Sequence, residues 1–85
     1  MAAEIYARLV HLNSVIQSLG KVEEIKDIES LENYSYINSL YNSVFRALHR
    51  MKWMPDFADH LENSHVHFQS NQLKEARAEM SLTIQ

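Results

Sequence analysis

One glycine and one proline in 85 residues set the strongest limit on what this chain can become. An all-β domain turns every few residues, and tight turns draw on the positive φ of glycine and the fixed φ of proline. A helical bundle needs only a few short connections. The expectation is therefore an all-α fold: a small antiparallel bundle of four or five helices, with residues 1–85 as a single domain and the last two helices forming a hairpin.

Hydrophobic spacing agrees with this independently. Ile5, Leu9, Leu12, Ile16 and Leu19 recur at alternating intervals of four and three, which puts them on one stripe of a helix running from about Ala2 to Leu19. Val10 and Val15 widen the stripe. Gly20 follows, where a left-handed residue can end the helix. Tyr34, Ile37, Tyr41, Val44, Leu48 and Met51 keep the same rhythm in a second long helix, flanked by Leu40, Phe45 and Ala47. Between the two, Val22, Ile25, Ile28 and Leu31 repeat every three residues, so the stripe drifts around a true α-helix. A short helix over Val22–Ile28 and an irregular stretch through Glu29–Ser35 are expected there. This acidic connector precedes the second long helix, while Arg46, Arg50 and Lys52 occupy its end, and both placements suit the helix dipole.

Pro55 disfavours helical geometry at Met54 and suits the start of a new helix. Phe57, Leu61, Ser64 and Phe68 form the next stripe, and Leu73, Ala76, Met80 and Ile84 the last. The two stripes are out of phase. That favours two helices broken at Ser70-Asn71, with Asn71 as an N-cap, over one continuous helix across 55–84. The last two helices resemble a tetratricopeptide hairpin: Ser64 stands where such repeats place a small residue, and Leu73, Ala76 and Met80 match the second helix. The likeness spans under a third of the chain and lacks the glycine of that pattern, so what it implies is architecture.

A chain this short buries a limited share of its surface, and small domains commonly gain stability from a disulfide, a metal or a partner. The absence of cysteine excludes disulfides and thiolate-held zinc, which leaves partner contact. Apolar residues make up 46% of the chain but never run long enough to cross a membrane. Met1-Ala2-Ala3-Glu4 lacks the basic and apolar regions of a signal peptide, so a cytoplasmic protein is expected. A net charge of −3 exerts no general pull on nucleic acid or anionic lipid.

The candidate chemistry is sparse. His11, His49, His60, His65 and His67 do not converge at ligand spacing; surface histidines are expected, with no metal and no cofactor. His49-Arg50-Met51-Lys52 resembles the phosphoacceptor box of a sensor histidine kinase family, which also reads His-Arg-hydrophobic-Lys. That family continues with two asparagines in an unbroken helix, whereas Trp53, Met54 and Pro55 follow here. The resemblance implies phosphotransfer through His49 without kinase activity, since no nucleotide-binding domain fits the remaining length. Arg46, Arg50 and Lys52 beside Trp53 make a phosphate-and-base surface, yet three charges fall short of the roughly six to ten phosphate contacts of duplex binders. Asp56, Asp59 and Glu62 follow at once and are expected to neutralise it. The carboxylates sit on solvent faces, away from the desolvated cleft that acid–base catalysis needs, so no enzyme is expected.

What remains is a surplus of aromatic surface. Tyr6, Tyr34, Tyr36, Tyr41, Phe45 and Trp53 cannot all fit inside so small a core, and exposed aromatics anchor protein interfaces. The expected function is a non-catalytic, self-associating interaction module: an adaptor, regulator or chaperone-like subunit, at least a homodimer. Its partner-binding residues are expected to be Tyr36, Phe45, Arg46, His49, Arg50 and Trp53.

Overall fold

The computed structural model describes residues 2–19 and 31–84. Within them the chain is helical, with four α-helices: α1 over Ala2–Ser18, α2 over Tyr34–Arg50, α3 over Phe57–Gln69 and α4 over Leu73–Thr83. The helix over Val22–Ile28, the Gly20 stop and most of the acidic connector lie outside the described residues.

The alternating stripes form the core. Ile5, Leu9, Leu12 and Ile16 of α1 meet Ile37, Tyr41, Val44 and Leu48 of α2, joined by Leu61 and Phe68 of α3 and by Ala76 and Met80 of α4. Helix α1 packs on α2 and α4, and α3 packs on the same two, closing a ring around this cluster. Val10 departs from expectation: it faces out, 40% exposed, while Val15 packs against the core. Ile5, Leu9, Leu12 and Ile16, spread over about three turns, already fill the inward sector, and Val10 lies beyond it. Among the described residues no helix is long and apolar enough to cross a membrane.

Two helices end the same way without glycine. The Lys52 amide donates to the His49 carbonyl at 3.1 Å and the Trp53 amide to the Leu48 carbonyl at 3.0 Å, with Lys52 at φ 53. Asn71, at φ 63, and Gln72 repeat the pattern on Phe68 and His67, at 3.3 and 2.8 Å. Both are Schellman stops, in which a left-handed residue lets two amides reach back to open carbonyls. Asn71 thus closes α3, and Gln72 takes the N-cap position of α4; the N-cap expected at Asn71 is shifted by one residue. Asparagine accepts left-handed geometry readily. Lys52 does not, and its Cβ costs about 1–2 kcal/mol there.

One polar contact is sealed in the core. The Ser64 hydroxyl donates to the Ala76 carbonyl at 2.8 Å and lies 2.7 Å from the Tyr41 hydroxyl, with both side chains fully buried. Ser64 has a single proton, given to Ala76, so Tyr41 donates to Ser64. Burial pushes the Tyr41 phenol up to about 12, partly offset by the serine contact. Ser64 therefore serves two neighbours, and the small-residue position read in the sequence is a polar junction of α2, α3 and α4.

Candidate functional site

The site is the corner where α2 gives way to α3. The Lys52 stop turns the chain abruptly, and Pro55 then keeps Met54 out of helical geometry. The result is a short extended segment that holds two large apolar residues away from the core. Met54 is 81% exposed and Trp53 37%, with the Trp53 ring standing edge-on to Phe57 at 5.8 Å.

Two grooves flank the end of α2. On the α3 side a groove of about 280 Å³ is lined by Phe45, Leu48, His49, Met54 and Ala58, with Asp59 and Glu62 on its far wall. On the α1 side a groove of about 500 Å³ is lined by Arg8, Ser43, Arg46, His49 and Arg50. Arg8 and Arg50 also border a neighbouring space of about 490 Å³ whose apolar lining is Ile5, Ala47 and Met51. His49 lines both sides and forms the ridge between them.

The charges on the two sides differ in how they are held. Arg8 pairs with Glu4 one turn away and donates to the Ser43 hydroxyl at 3.2 Å, which fixes its guanidinium against α2. The side chains of Arg46, His49, Arg50, Asp59 and Glu62 make no hydrogen bond or ion pair among the described residues. The expected neutralisation of the basic end by Asp56, Asp59 and Glu62 therefore does not take the form of ion pairs. The His49 ridge keeps the acidic wall on one side of α2 and Arg46 and Arg50 on the other.

The structure divides the residues singled out in the sequence. Phe45, Arg46, His49, Arg50 and Trp53 gather at this corner; Tyr36 does not. Nine positions separate Tyr36 from Phe45, about two and a half helical turns, which puts them on opposite sides of α2. Tyr36 faces α1, its hydroxyl 2.9 Å from His11 Nε2, while Phe45 faces α3 and stacks on His65 at 5.8 Å. Phe45 is half-buried against the core, so it floors a groove and does not project from it. Lys52 is exposed at the turn. Of the remaining aromatics, Tyr6 is exposed, Tyr34 stacks on Phe68 at 5.4 Å, and Tyr41 is buried. Arg8 and Met54 belong to the site and went unread. A glutamate four residues before Arg8 marks a helical ion pair, but nothing local shows that α1 lies beside Ser43. Met54 could have been found from its place before proline and outside every stripe.

The histidines are individually partnered, with the exception of His49. His60 Nδ1 donates to Glu79 at 2.8 Å, His67 Nδ1 to Gln72 at 2.7 Å, and His65 Nε2 to the Asn38 side chain at 2.9 Å. His65 corrects the expectation of surface histidines. Its ring stacks on Tyr41 at 4.4 Å and on Phe45, and burial lowers its pKa. No group of three or more potential metal ligands occurs among the described residues.

A pH dependence follows from His65. Its folded pKa lies below the ordinary 6.5, so between the two values the unfolded chain binds the proton more readily. Stability from the neutral, stacked ring is complete above the unfolded value and is lost as pH falls through the folded one. The melting temperature should drop as pH falls below the ordinary histidine value of about 6.5, and His65→Phe, which keeps the stack but cannot ionise, should flatten that drop. An equal drop in the variant would remove His65 as its cause.

Comparison with known protein families, with curated proteins and with solved structures finds no match to this chain.

Proposed function

We propose that this chain is a non-catalytic protein-interaction module that self-associates through the corner at the end of α2, acting in the cytoplasm as an adaptor, regulator or chaperone-like subunit. The observation that carries the reading is the exposure of Met54 and Trp53 beside the groove lined by Phe45, Leu48 and Ala58. A methionine held clear of its own core next to an apolar groove is the arrangement of an interface waiting for its other half. The groove is of a size to take one or two side chains, and each copy supplies both an exposed side chain and a groove.

The rest of the molecule supports a rigid presentation. Successive contacts pair His60 with Glu79, Ser64 with Ala76 and His67 with Gln72, so residue numbers rise on α3 as they fall on α4. We read this as an antiparallel hairpin, with the bundle as a scaffold for the corner. The chain has no cysteine, which is compatible with a reducing compartment.

Trp53 is the sole tryptophan and reports on its own surroundings. Its emission should shift to shorter wavelength as concentration rises through the micromolar range, because association withdraws the indole from water. Emission that stays constant across that range, from a chain that sediments as a folded monomer, would overturn the proposal.

A further inference from the structure

Two charged walls stand on either side of His49, and neither is ion-paired among the described residues. Arg46 and Arg50 lie on the α1 side, Asp59 and Glu62 on the α3 side; all four are exposed and without an ion pair among the described residues. Like charges one turn apart on a helix repel each other, so each wall favours an opposite charge brought from beyond its own helix. His49 lines both grooves and lies between the two walls.

A two-fold axis can bring opposite walls together. In an isologous contact residue i of one copy meets residue j of the other, and j meets i by symmetry, while groups at the axis meet their own copies. Opposite charges flanking one ridge are self-complementary under such an operation. We propose that the copies pair about an axis passing beside His49, so that Arg46 and Arg50 of each copy face Asp59 and Glu62 of the other. This rests on the self-association argued above and specifies its geometry and its second component: Met54 and its groove supply the apolar centre, and the charged walls fix orientation and register.

A foreign polyanion fits less well. It would meet the arginines only beside an equal number of carboxylates, whereas a second copy uses both walls at once.

Charge exchange tests the pairing. Arg46→Glu with Arg50→Glu, and separately Asp59→Arg with Glu62→Arg, should each weaken self-association at least about tenfold, as expected when close charge pairs are reversed. All four positions are exposed, so circular dichroism should show unchanged helicity. Mixing the two variants should restore association at the wild-type level, and one chain carrying all four replacements should also associate with itself. An oligomer indifferent to either replacement would overturn this geometry while leaving the self-association reading in place, as would a mixture that stays apart. A wild-type chain that is monomeric throughout removes both. If duplex DNA or a polyglutamate peptide binds the wild type but not the Arg46→Glu, Arg50→Glu chain, with self-association untouched, the basic wall belongs to a foreign polyanion and the pairing is wrong.

Discussion

Phe68→Ala is expected to move the urea unfolding midpoint sharply downward. Phe68 is fully buried, stacked on Tyr34 at 5.4 Å and tilted against Tyr41 at 5.9 Å. Truncating a buried phenylalanine removes its transfer free energy and leaves a cavity, together about 3–5 kcal/mol. A chain of 85 residues has about 4–13 kcal/mol in total at roughly 0.05–0.15 kcal/mol per residue. The loss is thus a large fraction of the whole, and it falls where α2, α3 and α4 meet. Phe45→Ala, at a half-buried position, should shift the urea midpoint far less. Equal effects of the two would mean that Phe68 is not a keystone of the core.

The fold was legible because helical periodicity and turn poverty are independent signals with one answer. The stripe Ile37, Tyr41, Val44 and Leu48 is buried as its spacing requires, and α3 and α4 separate at the phase break. The errors are local and have backbone causes. Asn71 ends a helix where capping preference would have it begin one, since its side chain suits both roles and only φ distinguishes them. Lys52 in a left-handed stop carries no sequence signal at all. Its conformation lets the Lys52 and Trp53 amides reach back to the His49 and Leu48 carbonyls.

The candidate site was only half legible. A residue count alone could have separated Tyr36 from Phe45, because helical geometry puts them on opposite sides of α2. Arg8 is different: its approach to Ser43 depends on how α1 crosses α2, a tertiary fact. Nothing local in the sequence sets His65 apart from the other histidines. Its burial comes from Tyr41 and Phe45 on another helix.

The second large effect concerns the corner. Met54→Asp should leave the folded monomer intact, since Met54 is 81% exposed and a carboxylate near the start of α3 suits the positive end of that helix. At an interface the same replacement removes an apolar anchor and strands a charge among apolar groups. Anchors of this kind carry about 2 kcal/mol or more, roughly a thirtyfold change in dissociation constant. Sedimentation velocity on the wild type and the Met54→Asp chain, over one micromolar concentration series, tests this most directly. The expected result is a wild type that sediments as a dimer or larger, beside a variant that is monomeric with an unchanged melting temperature. Two chains that sediment identically at every concentration would contradict an interface at this corner.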